Sequence, residues 1–234
     1  AKMREALNKV EKEQAEKRRA EIRMLQAQIN PHFLFNTLDS LRFTSMMNNV
    51  PVVSDGLAAL SHLLRSSILK DNSYTPLHSE LQTVEDYLTL QRIRCCETIV
   101  LKTEISEEAA KASVMRLLLQ PIVENCVNHG IREMSGEGRI WLKVYHGEED
   151  TLVISIRDNG IGMDAEIIEK LRNGTYHEER QSSGSNGIAM GNVIARLKLF
   201  TQNEDVMTIR SDGRNQGTEV ILYLPVKERE KADV

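Results

Sequence analysis

The sequence predicts an α+β protein in two parts, a helical hairpin at the N-terminal end followed by an α/β sandwich. Three observations predict it. Apolar residues repeat at helical spacing through about residue 94, with no strand patterning among them. From Thr98 onward, short alternating stretches of the kind that form half-buried strands are interleaved with helical ones. The 234 residues, 41% of them hydrophobic, suffice for two modest domains or for one domain with a helical extension.

Residues 1 to about 47 read as one long helix interrupted at Pro31, because proline is tolerated in a first turn but breaks a helix interior. Met3, Leu7 and Val10, then Ile22, Leu25 and Ile29, lie at coiled-coil spacing. The charged run Glu11 to Arg19 between them weakens that seam and reads as a solvated face. Asn48-Asn49-Val50-Pro51 is a turn, after which Ser54 or Asp55 can cap a second helix carrying Leu57, Leu60, Leu63, Leu64 and Ile68. Two antiparallel amphipathic helices cannot bury their apolar faces alone, so a dimeric four-helix bundle is expected.

After the polar break Asp71-Asn72-Ser73, Leu77 to about Arg94 reads as a helix. Strands are expected at Thr98 to Ile105, Arg139 to Tyr145, Thr151 to Arg157, Val206 to Ser211 and Thr218 to Leu224, with Asp212-Gly213 as the turn between the last two. Helices are expected over Ser113 to Ile131, Asp164 to Leu171 and Gly187 to Phe200. Helices and mixed strands segregated in this way make a layered sandwich.

The formal net charge is −4, without an evident basic face, which argues against nucleic-acid binding through phosphates. Cys95, Cys96 and Cys126 provide neither a disulfide framework nor zinc-ligand spacing, and fit a reducing cytosol. Cys126, in an apolar helical run, reads as a small buried hydrophobe. There is no stretch of about 18 uninterrupted apolar residues and no signal-peptide pattern. His62, His78, His146 and His177 have no partners at metal-ligand spacing.

Four segments carry chemistry. In Gln28-Ile29-Asn30-Pro31-His32-Phe33-Leu34-Phe35-Asn36, the proline sets His32 in a first helical turn, and imidazole is a competent nucleophile near neutral pH; a core histidine at a kink is the competing explanation. In Gln120-Pro121-Ile122-Val123-Glu124-Asn125-Cys126-Val127-Asn128-His129-Gly130, helical spacing clusters Glu124, Asn125, Asn128 and His129 within a turn, while Ile122 and Cys126 point elsewhere. Carboxamide oxygens suit a magnesium ion that keeps most of its waters and bridges phosphates; a capped helix end stopped by Gly130 explains only one of those four. In Asp158-Asn159-Gly160-Ile161-Gly162, glycines two apart let backbone pass close to a flat ligand, and the carboxylate can accept from an exocyclic amine. A plain turn explains the same letters. Gly184-Ser185-Asn186-Gly187-Ile188-Ala189-Met190-Gly191 is a glycine-rich loop running into a helix N-terminus, which offers free backbone N–H groups to phosphates.

In this order, and closed by Gly217-Thr218 before the last strand, these segments resemble the boxes of the GHKL (Bergerat) ATP-binding fold, shared by histidine kinases, gyrase-type ATPases and MutL-like proteins. The run around His32 resembles the phosphoacceptor box of YesM/LytS-type sensor histidine kinases. The resemblance covers about Leu25 to Pro225. It implies a signalling coiled coil over 1–24, a dimerisation and histidine phosphotransfer domain over 25–75, and an ATP-binding catalytic domain over 76–234. It further implies a two-component kinase core that autophosphorylates His32 with ATP and Mg²⁺ and transfers the phosphoryl group to an aspartate of a response regulator. The expected partners are a second copy of the chain, that regulator's receiver domain, and an N-terminal membrane sensor region outside these residues. The expected setting is the cytoplasmic side of a bacterial inner or plasma membrane, with this portion soluble.

Residue by residue, the resemblance makes His32 the phosphoacceptor and Asn125 the holder of Mg²⁺. His129 and Asn128 would face the phosphates. Asp158 would receive the adenine amino group, Gly160 and Gly162 would give the base room, and Thr218 would support it. Gly184, Gly187 and Gly191 would belong to the phosphate loop and its helix. Glu124 is a candidate for orienting a water or the incoming imidazole. The family's ATPases carry a glutamate one turn before the magnesium asparagine; here Pro121 stands there, so kinase fits better than hydrolase. A second departure is Ala189, where the family usually has glycine. If that position needs positive φ or lies against a phosphate, alanine weakens nucleotide binding; if it is already helical, alanine is harmless. Ala189 therefore leaves open a degenerate kinase that signals by conformation. An anti-sigma-type serine kinase on the same fold would lack the histidine-bearing helices. Arg180, Arg196 and Lys198 could reach phosphates or be ordinary exposed cations.

Overall fold

A computed structural model describes residues 30–68, 74–95, 98–132, 134, 136–148, 150–172, 187–201, 203 and 206–226. The expected coiled coil over 1–24 and the loop over 173–186, Gly184 included, lie outside the described residues. The chain divides into two compact units, Ala1–Lys70 and Asp71–Val234.

The first unit is a hairpin of α1 (Pro31–Met47) and α2 (Pro51–Ile68). The interruption expected at Pro31 is a true helix start. Asn30 is extended at φ −69°, ψ 99°, its side chain accepts from the Phe33 N–H, and Pro31 fills the position whose missing N–H costs nothing. Thr37, Ser40 and Thr44 would ordinarily compete with helix formation, but each donates its hydroxyl to the carbonyl four residues back. The turn closes through Asn49 at φ 55° and the Val50 N–H to Ser45 carbonyl bond. Neither Ser54 nor Asp55 caps α2, contrary to expectation. Pro51 starts the helix, its fixed φ already helical, and Ser54 is buried inside it. Across the hairpin, Arg65 lies 4.5 Å over the Phe35 ring and 3.4 Å from Asp39. Phe35, Leu38 and Ala59 are buried, whereas Phe33, Leu41, Phe43, Met46, Met47, Val52 and Val53 stay largely exposed.

The second unit is a five-stranded sheet with helices against one face. Strands β2 (Ile99–Ile105), β4 (Gly138–His146), β5 (Thr151–Asp158), β7 (Glu219–Pro225) and β6 (Met207–Arg210) lie in the order β2-β4-β5-β7-β6. Only β2 and β4 run parallel. Period-2 alternation puts Ile140, Leu142 and Val144 of β4 on the buried side. Paired with them across the sheet are Ile154 and Ile156 of β5, then Val220 and Leu222 of β7. Helix α3 (Leu77–Cys95) presents Leu77, Glu80, Val84, Tyr87, Leu88 and Gln91 at helical spacing, all buried.

Helix α4 (Leu119–Asn125) packs on α3 and passes directly into a π-helical segment, Cys126–Ile131. Two further α-helices lie among the described residues of the unit, α5 (Ala165–Arg172) and α6 (Gly187–Thr201), the latter packed on α4.

One expected helix begins late. Ser113–Met115 is a strand, β3, paired antiparallel with β1 (Tyr74–Pro76), so Ser113 to Leu118 are not helical. The reason is Leu117, held at φ 53°, where a helix cannot pass. What holds it is Glu80. One carboxylate oxygen accepts from the Leu117 N–H at 2.8 Å, the other from Leu118 and Leu119 at 2.9 and 3.1 Å. A buried acid on α3 thus caps the start of α4.

Candidate nucleotide site and the His32 helix

The alternation Leu152, Ile154, Ile156 continues to Asp158, placing a carboxylate on the buried side of the sheet at the end of β5. Asp158 is 2% exposed. Its Oδ1 accepts from the Gly160 N–H at 2.8 Å and the Thr218 N–H at 3.3 Å. Burial nonetheless pushes the carboxyl above its ordinary range, with these two donors, the neighbouring Cys126 thiol and Arg157 pulling the other way.

Glycine is required here for backbone approach, a reason different from the expected room for a base. A Cβ on Gly160 would lie 2.4 Å from the Gly130 backbone, and one on Gly217 would lie 2.0 Å from the Asp158 carbonyl oxygen. Gly162, at φ 72°, packs on the Gly213 carbonyl. Nor does Gly130 stop the helix: it lies inside the π segment, and its bare Cα lets that segment come down over Asp158.

Residues 211–218 form a folded wall that the expected Asp212-Gly213 turn understates. Asn215 N–H bonds the Ile161 carbonyl at 2.6 Å, and Gly217 N–H bonds the Gly160 carbonyl at 3.0 Å. Ser211 accepts from the Met163 N–H and donates to the Gly217 carbonyl, pinning both loops with one hydroxyl. The sequence carried no signal for that role. Thr218, 6% exposed, lies beside Asp158, its backbone N–H bonded to that carboxylate.

On the other side run α4 and the π segment. Asn125, Asn128 and His129 are half-buried there, and the Asn125 Nδ2 is enclosed with no partner among the described residues. Glu124 accepts from the Gln120 amide at 2.8 Å. Tyr87 of α3 stands behind them, its hydroxyl at the Asn128 amide but short of hydrogen-bond geometry. Burial first, and Glu124 second, push that phenol up to about 12. π-Helical turns widen a helix and occur often at functional sites. Cys126, at the start of the π segment, is buried and near enough to Asp158 to act on its carboxyl, so it does not point away from the site as expected.

No group of three or more His, Cys, Asp or Glu side chains able to hold a metal occurs among the described residues. The donor set around Asn125 therefore fits a cation held mainly by its own waters and a polyphosphate, and does not fit an all-protein cage. Gly187, Ala189 and Gly191 lie in α6. Helical backbone at Ala189 removes the positive-φ objection to alanine. Arg196 donates to the Arg116 carbonyl, tying α6 to the turn before α4 and giving this arginine a structural role.

His32 is exposed in the first turn of α1, with the Asn36 Nδ2 3.2 Å from its Nδ1 and 3.4 Å from its Nε2.

An exposed histidine heading a helical hairpin, followed in the same chain by a buried aspartate and a glycine-ringed loop on an α/β sandwich, defines a protein of the histidine kinase class. Comparison with known proteins agrees. Residues 20–99 match the histidine kinase model, and residues 115–228 match that of the histidine kinase-, DNA gyrase B- and HSP90-like ATPases. The chain is 29% identical over 229 residues to the sensor histidine kinase YesM of Bacillus subtilis, covering 96% of this chain and 37% of that protein. It is 33% identical to the sensor histidine kinase YpdA of Escherichia coli, covering 88% and 34%, and 32% identical to the sensor protein LytS of Staphylococcus saprophyticus, covering 97% and 37%. The chain belongs to the sensor histidine kinases of the YesM/LytS type. It spans about a third of the length of these curated relatives. No helix among the described residues is long and apolar enough to cross a membrane.

Proposed function

We propose that this chain is the kinase core of a two-component sensor, which autophosphorylates His32 from ATP and passes the phosphoryl group to an aspartate of a response regulator. The observation that carries the reading is the Asp158 site. A carboxylate anchored on one oxygen by two backbone N–H groups, with glycine-lined walls, suits a base that presents an exocyclic amine.

Asp158 and Thr218 hold the adenine, with Gly160 and Gly162 shaping the loop beside it. Asn125 would hold Mg²⁺, which would supply charge neutralisation at the phosphates. Asn128, His129 and the segment containing Gly184, Gly187 and Gly191 attend the phosphates. Phosphoryl transfer needs alignment and charge neutralisation more than covalent chemistry from the protein. A ring nitrogen of His32 bonds to the γ-phosphorus, the bond from phosphorus to the bridging oxygen of ADP breaks, and the ring gives up its proton. The phosphoimidazole then sits in the first turn of a 17-residue helix, where the macrodipole favours negative charge. Glu124, fixed by Gln120, is the orienting residue in this reading.

The first unit works as a homodimer. The exposed Phe33, Leu41, Phe43 and Val52 exceed what a lone hairpin leaves to water, and a four-helix bundle would cover them. The remaining two thirds of such a protein would include the membrane sensor and place this core on the cytoplasmic side. Incubation with γ-labelled ATP and Mg²⁺ tests the reading. Acid-labile, alkali-stable label that disappears in His32→Gln supports it, and label that persists in the variant refutes His32 as acceptor.

A further inference from the structure

Asp158 Oδ1 accepts from two backbone N–H groups, one local and one distant. Gly160 lies two residues on, whereas Thr218 comes from 60 residues further along the chain. The Thr218 N–H shares a planar trans peptide unit with the Gly217 carbonyl, and the two point in opposite directions, so whatever fixes the carbonyl also aims the N–H. Ser211 fixes it, donating its hydroxyl to the Gly217 carbonyl at 2.7 Å. The same oxygen accepts from the Met163 N–H at 3.0 Å, which leaves its proton to a carbonyl, and the alternative acceptor on Gly213 is more distant at 3.4 Å.

We propose that Ser211 is a positioning residue for adenine recognition: by holding the Gly217–Thr218 peptide plane, it keeps the Thr218 N–H on Asp158 and so sets the carboxylate that meets the exocyclic amine of the base. The proposal rests on the reading of this unit as an adenine-nucleotide site.

That plane needs a holder. Gly217 is at φ 74°, and glycine has the widest torsional freedom of any residue. The peptide units on either side are tied, the Gly217 N–H to the Gly160 carbonyl at 3.0 Å and the Thr218 carbonyl to the Asp158 N–H at 2.9 Å. Between them the Gly217–Thr218 plane can still turn, and the Ser211 hydroxyl is what stops it. At 3.3 Å the Thr218 bond is the longer of the two on Oδ1, so a turn of the plane breaks it first. Asp158 and Thr218 are both buried, so water does not replace a lost donor. The loops themselves stay joined without Ser211, through the Gly217 to Gly160 bond and the Asn215 N–H to Ile161 carbonyl bond. Removing the hydroxyl therefore changes the aim of one N–H and leaves the fold in place.

The test is calorimetric titration of the full chain with ADP and with inosine diphosphate, each with excess Mg²⁺, for the wild type, Ser211→Ala, Ser211→Thr and Asp158→Asn. Inosine diphosphate carries a carbonyl oxygen where ADP has its exocyclic amine, so the ratio of the two affinities reads the contact to Asp158 apart from the phosphates and the order of the loops. Loss of one hydrogen bond corresponds to ADP binding weaker by about two- to tenfold in Ser211→Ala, with the preference for ADP falling by the same factor and inosine diphosphate binding unchanged. Ser211→Thr, which keeps the hydroxyl, keeps the wild-type ratio. An unchanged ratio in Ser211→Ala overturns the proposal, whether both affinities hold or both fall together, because a shared fall assigns Ser211 to loop stability. A ratio reduced equally in the Ala and Thr variants also overturns it, by assigning the effect to packing. A wild type that fails to bind ADP, or binds the two nucleotides alike, defeats the adenine reading and this proposal together. A preference lost in Asp158→Asn but unaltered in Ser211→Ala defeats this proposal alone.

Discussion

Glu80 offers the sharpest test of how the nucleotide unit is held together. Its carboxylate, 3% exposed, satisfies the N–H groups of Leu117, Leu118 and Leu119, at the only place where a helix of the site begins through a left-handed non-glycine residue among those described. In Glu80→Ala all three donors lose their acceptor. Buried unsatisfied groups cost about 1–3 kcal/mol each, and water entering the vacated space offsets part of this, so the loss is about 3–5 kcal/mol. For a domain of this size, about 2–4 °C accompanies each kcal/mol, which places the fall in Tm at roughly 6–20 °C. Glu80→Gln is different. Its single oxygen can keep the Leu118 and Leu119 bonds, and it removes the buried charge whose desolvation raises the Glu80 pKa. Its cost is therefore about 1 kcal/mol or less. The assay is thermal unfolding of the full chain followed by tryptophan fluorescence, because the single tryptophan, Trp141, lies in β4 and reports this unit alone. Equal shifts in the two variants, or a fall below about 2 °C in Glu80→Ala, would refute the capping argument.

Other consequences follow from the same contacts. Gly160→Ala drives a Cβ to 2.4 Å from the Gly130 backbone, so it should cost upward of about 1–3 kcal/mol and weaken ADP binding, as urea melts and titration would show. Asp158 has a folded-state pKa above 3.8, so nucleotide affinity should fall on acidification within the raised range, measured as the pH dependence of the ADP dissociation constant. The sign for stability is opposite. Folding favours the protonated forms of both Asp158 and Glu80, so their contribution is fully present below the unfolded values of 3.8 and 4.5 and is lost as pH rises through the folded ones. Urea midpoints compared between wild type and Glu80→Gln across pH 4–7 should converge toward the acid end. Ala189→Gly should lower the stability of the second unit by about 0.5–1 kcal/mol, since α6 is already helical there, and urea unfolding reads this directly.

Much of the fold was legible because its signals are local. The strands at 99–105, 138–146 and 151–158 show as alternation, and Pro31 marks a helix start, through steric rules that act within a few residues. The same alternation carries Asp158 to the buried face. Where local signals competed, the weaker one was misread: Ser54 and Asp55 are good capping residues, yet Pro51 had already begun the helix.

The sequence by itself therefore determined the order of the five main-sheet strands, the histidine at the head of α1 and the aspartate at the end of β5, but not the β1–β3 pair. Tertiary structure alone decided what those residues meet. Nothing near Glu80 in the chain shows that it caps a helix 37 residues away, because that depends on how α3 packs on α4. Nothing in the sequence shows that Cys126 is buried in the neighbourhood of Asp158, because the π-helical segment that begins there departs from the 100° phase on which spacing arguments depend. Hydrogen bonds to buried groups must be satisfied by whatever packing brings close, and packing is a property of the folded chain as a whole.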